Sequence, residues 1–366
     1  MKTAAVMILL VACMAFGDSN VHVWGDNAYG QCDVPDEQFY GVYSGVYANH
    51  VIAMDGDGGL IAWGDNSHGQ CNIPSSTGVL GASASKEFSV FITNGAVETC
   101  GTGYNPGGES QYPSPFVKVS AGGFHILGLR GNGDVEAWGG NAVGQCDLPI
   151  GYTYKEISAG RSHTLAVTVN GYLRGCGYDQ FGQASPPTGK YIAVAAGFTH
   201  SVAIAEDSTI VAWGNNNYGQ VSDAPSSIFK FVAIAAGDNH CIGLRANGMV
   251  VAWGRDNEGQ CTIPAGLTGV ISIAAGRDFS VALTEVVSSI EGACVEEAGV
   301  GFGVTSPFGS TAYNSAPEGS YVTVFDMTGR KVGKTQNNVW DSGSAPAGVY
   351  VFVLNNGVSS AMAVKL

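Results

Sequence analysis

Positive charge is scarce in this chain. Of 366 residues only 16 are Lys or Arg, against 30 Asp or Glu, leaving a net charge of −14. Holding a nucleic-acid backbone takes clustered cations, so no nucleic acid is expected as a partner. Long apolar runs are missing beyond the first sixteen residues. No later stretch reaches the roughly 20 residues a transmembrane helix needs. No window sustains a helical period with caps, which argues against a helical domain. Catalytic signatures are absent too: there is no Gly-x-Ser-x-Gly elbow, phosphate loop or His-Glu-x-x-His. Gly101-Thr102-Gly103 does not extend to a dinucleotide fingerprint. Asp55-Gly56-Asp57-Gly58 resembles the start of a calcium loop, but the Glu that would close it is missing, so it reads as a turn. The chain is therefore expected to be no enzyme and to use no cofactor and no metal.

What the chain has in abundance is repetition. An anchor of Trp or Cys followed by Gly returns seven times, at Trp24, Trp63, Cys100, Trp138, Cys176, Trp213 and Trp253, every 37 to 40 residues. The fullest copies read VEAWGGNAVGQC and VAWGRDNEGQC. Between the anchors runs a second phrase, as in SAGRSHTLAV from Ser158, AAGFTHSVAI from Ala195 and AAGDNHCIGL from Ala235. A period this regular means one supersecondary unit used repeatedly. Short runs of Val, Ile, Ala and Phe punctuated by Gly, Asn and Asp are strand signals. Asp55-Gly56, Asn94-Gly95, Asn132-Gly133, Asn170-Gly171 and Asn247-Gly248 suit tight hairpins. Each unit is thus expected to be an antiparallel sheet of about four strands, the blade of a propeller.

The ends of the repeat region are complementary halves. Residues 21–25 form a Trp-Gly strand with no Ala-Ala-Gly strand before it, and residues 274–284 form the reverse. Joining them completes a seventh blade and closes the ring without free sheet edges. The expected architecture is all-β: a seven-bladed β-propeller over residues 20–286, then a small C-terminal β-sandwich. The linked pattern V-x-A-W-G-x-N-x-x-G-Q and A-A-G-x-x-H-S-x-A-L resembles the regulator-of-chromosome-condensation repeat family. Copies with Pro35, Pro74, Pro149 or Pro264 after Gly-Gln are most similar to bacterial secreted members, including propeller-type β-lactamase inhibitors. In such inhibitors one face of the ring binds the target enzyme, and the resemblance implies the same kind of use here. The third and fifth units depart from the pattern at Cys100 and Cys176, and the third also loses Gly-Gln.

Both ends carry address labels. Met1-Lys2 and the apolar residues 4–16 read as a secretory signal over residues 1–17, cut before Asp18. Leu10-Val11-Ala12-Cys13 also resembles a lipobox that would acylate Cys13, although its leader is short. After an acidic, Gly-rich linker at 287–306 comes a domain at 307–366. Its phrases YVTVFDMTGRKV and AGVYVFVL resemble the C-terminal sorting domain of type IX secretion cargo, against a generic immunoglobulin-like module. These labels place the protein outside the cell or on its surface, with the secretion machinery as one partner.

Among nine cysteines, Cys32, Cys71, Cys146 and Cys261 occupy equivalent positions that the ring should hold apart. Cys100 and Cys176 stand where Trp stands elsewhere and read as buried and apolar. An exported chain leaves room for one or two bridges with Cys241 or Cys294. His50, His125, His163, His200 and His240 share one position, filled by Phe88 and Phe279 in the other units, so packing is favoured over metal binding. What varies between units is the loop residues. The x-x loop and the loop after Trp-Gly should emerge on one face, opposite the Asn-Gly turns. The first set displays Tyr47, Asn49, Lys86, Glu87, Phe124, Arg161, Phe198, Asp238 and Arg277. The second adds Tyr29, Tyr178, Phe181, Tyr218 and Arg255. Aromatic and Arg residues on rigid loops suit a protein-binding surface, and the expected partner is an extracellular or cell-surface protein. Two other readings stay open: an extracellular polysaccharide hydrolase or lyase, and, from the family's name alone, a guanine-nucleotide exchange factor.

Overall fold

A computed structural model describes residues 20–74, 78–102, 115–225 and 228–285, together with the backbone of seven strands between 302 and 365. The expected signal segment, Cys13 and Cys294 lie outside the described residues. The chain divides into two compact units, residues 1–286 and 287–366. No helix occurs among the described residues.

The first unit is a ring of seven antiparallel sheets. The chain opens with β1 (Val21–Gly25) and then lays down whole blades. Blade 1 is β2 (Gly41–Tyr43), β3 (His50–Met54) and β4 (Leu60–Gly64). Blade 2 is β5 (Val79–Ala84), β6 (Phe88–Thr93) and β7 (Ala96–Gly101). Blade 3 is β8 (Phe116–Ala121), β9 (His125–Arg130) and β10 (Val135–Gly139). Blade 4 is β11 (Tyr154–Ala159), β12 (His163–Thr168) and β13 (Leu173–Gly177). Blade 5 is β14 (Tyr191–Ala196), β15 (His200–Ala205) and β16 (Ile210–Gly214). Blade 6 is β17 (Phe231–Ala236), β18 (His240–Arg245) and β19 (Val250–Gly254). Blade 7 combines β20 (Val270–Ala275) and β21 (Phe279–Thr284) with β1, in register Val21↔Leu283 to Gly25↔Phe279. The two ends of the propeller thus share a sheet, as expected. The first strand of each blade packs on the first strand of the next, and β20 on β2 completes the circle.

Each blade has three strands, not about four. The polar loop after Trp-Gly, which would have supplied a further strand, is wound into turns instead. In the first copy Gly30 N–H donates to Asn27 O and Asp33 N–H to Gly30 O, while Asn27 Oδ1 accepts from Cys32 N–H. Backbone groups consumed in this way cannot pair with a neighbouring strand, and the Pro that follows has no N–H to offer. The hairpins also differ from expectation. Only Asn94-Gly95 has both residues at positive φ. Asn132-Gly133 instead follows Arg130-Gly131, with Gly133 N–H donating to Arg130 O and only the Gly at positive φ. That is a type I turn with a glycine bulge.

Apolar cores lie between blades rather than inside them. Leu165, Val167 and Leu173 of blade 4 pack with Tyr191, Val194 and Trp213 of blade 5. Polar joints repeat beside these cores. His50, His125, His163 and His240 are fully buried, each Nε2 lying 2.7 to 3.1 Å from a hydroxyl of the following blade: Ser89, Thr164, Ser201 and Ser280. Each of these hydroxyls donates to a Gln carbonyl, of Gln70, Gln145, Gln183 and Gln260. The hydroxyl can then only accept from the ring, which places a hydrogen on Nε2, and burial keeps the ring neutral. His200 meets the Cys241 thiol in the same way at 3.1 Å. Where the ring is Phe, the next blade offers an aliphatic side chain: Phe88 shares a core with Ile126, and Phe279 with Val51. Ring type and partner type match all the way round. Burial holds the His pKa values down to about 3 at His163 and His200 and about 4 at the other three.

Carbonyls of the same set of Gln positions receive the anchors. Trp24, Trp63, Trp213 and Trp253 donate Nε1–H to Gln260, Gln31, Gln183 and Gln220 at 3.0 to 3.1 Å. Cys100 and Cys176 are half-buried rather than buried and apolar, and their thiols donate to Gln70 and Gln145. The polar contact survives the loss of the indole.

The second unit carries an antiparallel sheet of β22 (Phe302–Val304), β23 (Thr311–Asn314) and β26 (Val339–Asp341). A four-stranded sheet joins β25 (Lys331–Thr335), β24 (Val322–Asp326), β27 (Gly348–Leu354) and β28 (Ser360–Lys365) in that order. Strand pairing therefore begins at Phe302, inside the stretch that sequence reading assigned to the linker.

Candidate functional site

The loop residues singled out by sequence emerge at one end of the ring because of strand register. His50 pairs with Gly64, His125 with Gly139 and His240 with Gly254, so the x-x loop and the loop after Trp-Gly share an edge. The approach is close. Gly64 has φ +109°, and a Cβ there would stand 2.6 Å from the Asn49 carbonyl, which makes glycine obligatory.

The x-x loops are tied to one another around the axis by main-chain hydrogen bonds. Gly123 N–H donates to Gly160 O, Arg161 to Gly197, Phe198 to Asp238, Asp238 to Arg277, and Arg277 to Ala48, at 2.8 to 3.3 Å. This girdle fixes the loop tips before anything binds.

Tyr47 occupies the middle. Ser44 to His50 is one residue longer than Ser120 to His125 and its equivalents. The extra residue bows the loop, with Tyr47 at φ +74°, a costly conformation for a non-glycine residue. Its N–H donates to Asp238 Oδ1 at 2.8 Å, two blades away, and its ring lies 5.7 Å from Phe198, across the ring of blades. Lys86, Arg161 and Arg277 stand 5.8, 5.8 and 6.0 Å from the same ring. Arg161 also lies over Phe198 at 4.3 Å and Phe124 at 5.5 Å. Beside this cluster a cleft of about 290 Å³ is lined by Tyr47, Lys86, Glu87, Phe88, Thr102, Gly123 and Phe124.

Two expected surface residues are in fact buried. Asn49 is 3 % exposed and Asp238 5 % exposed. Asn49 sits where its carbonyl accepts from Asp65 N–H, at the close approach of the two loops. Asp238 is turned inward to hold Tyr47 N–H, and Arg277 Nε lies 3.8 Å from it. Burial pushes the Asp238 carboxyl up to about 7, against the pull of the Tyr47 amide and Arg277. Both residues support the surface instead of forming it.

The outer loops carry a separate rim. A buried Gln accepts from the backbone N–H two residues earlier in each well-formed copy, holding Tyr29, Phe181 and Tyr218 in an exposed position. Tyr178 is half-buried at the start of its loop. Arg255 reaches back to Asp278 at 2.7 Å and lies 5.9 Å from the Tyr218 ring. Lys86 and Glu87 pair with each other at 3.3 Å. The structure therefore gathers Tyr47, Lys86, Phe124, Arg161, Phe198 and Arg277 at the axis and leaves Tyr29, Tyr178 and Phe181 on the rim. Sequence reasoning missed the central position of Tyr47, although the longer Ser44–His50 spacing signals it. Thr102 and Gly123 had no comparable signal. Among the described residues no group of three His, Cys, Asp or Glu could hold a metal ion, and no helix is long and apolar enough to cross a membrane.

This architecture is a β-propeller, and five of its segments carry the regulator of chromosome condensation (RCC1) repeat. The model of that repeat matches residues 45–70, 116–145, 154–183, 191–220 and 231–260. Among solved structures, the fold is similar to Prp20p from Saccharomyces cerevisiae, described with its binding to Gsp1p and histones. The TM-score is 0.62 at 18% identity, covering 73% of this chain and 92% of that one. Human WBSCR16 gives 0.61 at 17% identity, covering 72% and 98%. The CRINKLY WD40 ectodomain of the Arabidopsis thaliana receptor kinase ACR4 gives 0.55 at 19% identity, covering 68% and 93%. In sequence, 108 residues are 26% identical to a bifunctional serine/threonine-protein kinase/NEDD4-like E3 ubiquitin-protein ligase of Dictyostelium discoideum. That match covers 30% of this chain and only 5% of the Dictyostelium protein.

Proposed function

We propose that the protein is a non-catalytic, exported binding module that engages another protein through the loop face of its propeller. One observation carries this reading. Aromatic and cationic side chains that differ from blade to blade converge at the axis on a backbone girdle that is already hydrogen-bonded. Preorganised aromatic anchors lose little entropy on binding and dominate interface energies. The partners named for yeast Prp20, which are Gsp1p, histones and Kap60, are all proteins, which supports a protein ligand for a propeller of this kind. Export rests on the leader and on the C-terminal phrases alone, and an extracellular or cell-surface partner follows from it; an inhibitory or adhesive role would fit such a place.

The test is capture of a partner from culture fluid and envelope extract with the full chain. Alanine variants at Tyr47, Phe124 and Phe198 are compared with Asn132→Ala and Asn247→Ala on the opposite face. The first three should lose the captured protein and the last two should keep it. Loss confined to the turn variants would place the contact on the other face.

A further inference from the structure

We propose that the segment of the partner seated at the axial mouth is acidic, and that Arg161 is the group that receives its carboxylate. The inference rests on the binding role above and adds the chemistry of the ligand.

Arg161 is the cation at the mouth that lacks a counter-charge. Lys86 has Glu87 at 3.3 Å, and Arg277 has Asp278 at 3.5 Å and Asp238 at 3.8 Å. Arg161 forms no ion pair among the described residues, and its buried Nε has no hydrogen-bond partner. Asp238, whose field it feels, is committed to the Tyr47 amide. The guanidinium is held instead by rings, with Phe198 at 4.3 Å, Phe124 at 5.5 Å and Tyr47 at 5.8 Å from its carbon. Ring contacts occupy the flat face of a guanidinium and leave its edge N–H donors for another ligand. That edge matches a carboxylate in a two-pronged pair.

The cleft lies where such a ligand would enter. Gly123 is part of its wall, and a Cβ on Gly123 would stand 3.0 Å from Arg161 Cγ, so only the bare glycine separates the two. Lys86 and Tyr47, which also line it, supply a second cation and an apolar surface for the stem of a Glu or Asp. Overall the chain carries −14 charges, so a uniformly acidic partner would be repelled. The fit is to a local acidic segment with apolar neighbours.

The experiment selects binders to the full chain from a random linear peptide library, in parallel for the native protein, Arg161→Gln, Arg161→Lys and Tyr47→Ala. Melting curves confirm that each variant folds. Selected sequences should be enriched in Asp and Glu, with enrichment lost in Arg161→Gln and partly kept in Arg161→Lys. One enriched peptide, labelled with fluorescein and followed by anisotropy, should bind at least about tenfold more tightly than its Asn/Gln counterpart. Equal binding of the two peptides would overturn the inference. So would peptides that depend on Tyr47 but show no acidic enrichment, although the binding face would then still stand. Peptides indifferent to Tyr47→Ala would remove the face itself. Displacement of the acidic peptide by a short oligonucleotide at equal concentration would assign the site to phosphate rather than carboxylate.

Discussion

Both ends of the propeller expose apolar side chains, and they organise them in opposite ways. At the turn end, Leu80, Val117, Ile192, Val232 and Ile271 are exposed at the same place in five blades, the second residue of the first strand, where the register slips by one. A bulge turns that residue outward in these five blades and, at Lys155, in blade 4, whereas β2 of blade 1 pairs without a shift and buries Val42. Cation–aromatic contacts there stay within one blade: Arg130 on Phe116, Arg174 on Tyr152, Arg245 on Phe229. At the loop end the contacts join blades 1, 2, 3, 4, 5 and 7 through Tyr47, Lys86, Phe124, Arg161, Phe198 and Arg277. Repeated exposure is a property of the unit, whereas convergence of unlike residues is a property of the whole ring. Only the second kind forms a single surface that a partner could read.

The sharpest contrast in packing should come from adding one methyl group. A Cβ on Gly197, at the loop end of β14, would lie 2.2 Å from the His200 ring. Gly197→Ala should cost roughly 3 kcal/mol, since ring and girdle must both shift. Gly81, near the turn end of β5, has nothing within 4 Å of the equivalent point, so Gly81→Ala should change stability by less than about 0.5 kcal/mol. Urea titration of both variants measures the difference, and equal costs would show that the loop end is no tighter than the turn end.

Acid should unfold the ring through its histidine joints. Burial depresses these His pKa values from 6.5 to about 3 or 4. The stability held by the neutral rings is complete above pH 6.5, and it is lost as pH falls through the folded-state values, because the unfolded chain binds protons that the fold refuses. Each ring contributes up to about 1.4 kcal/mol per pH unit in that window. Asp238, raised to about 7, acts with the opposite sign and favours the fold below neutrality. The paired change His125→Phe with Thr164→Ile copies the natural Phe88–Ile126 joint. It should reduce the pH 6.5 to 4 slope by one proton, read from urea midpoints across that range. An unchanged slope would mean that His125 titrates normally in the fold.

The joints also show what could be read without coordinates. Seven blades, their closure through β1 and the shared end for both loop sets follow from phrase order, because alternation and hairpin turns are local properties. Packing as the role of the five histidines was legible from Phe88 and Phe279 at the same position. The matching Ile126 and Val51 were also in plain view, but their meaning depends on which blades touch. The number of strands was misjudged because Asn and Gln side chains, rather than a neighbouring strand, satisfy the backbone after Trp-Gly. Burial of Asn49 and Asp238 was hidden for a related reason: a polar residue at a loop tip looks exposed until a second loop closes over it.

Binding separates the two ends at an intermediate scale. Tyr47→Ala should weaken partner binding by about 2 kcal/mol, roughly thirtyfold, and Tyr152→Ala at the turn end should leave it unchanged. Tyr47→Gly is the more discriminating variant. Glycine accepts φ +74° without strain, so stability should hold or rise slightly while affinity falls as far as with alanine. Calorimetric melting and titration with the captured partner give the two readings. Parallel loss of both would reduce Tyr47 to a structural role.

The smallest effect concerns rim charge. Lys86 and Lys190 are both about half exposed, the first at the axial mouth and the second at the turn end, and each has a Glu within 4.0 Å. Such pairs contribute little to stability, so neither alanine variant should shift the melting temperature measurably. If the ligand is acidic, Lys86 still adds to the field it meets on approach. Lys86→Ala should slow association about two- to threefold at low salt, with dissociation nearly unchanged, and the difference should vanish at high salt. Lys190→Ala should do nothing under either condition. Stopped-flow association rates over a salt series decide the matter: equal slowing by both variants would point to net charge rather than to the mouth, and faster association without Lys86 would mean that the approaching group is positive.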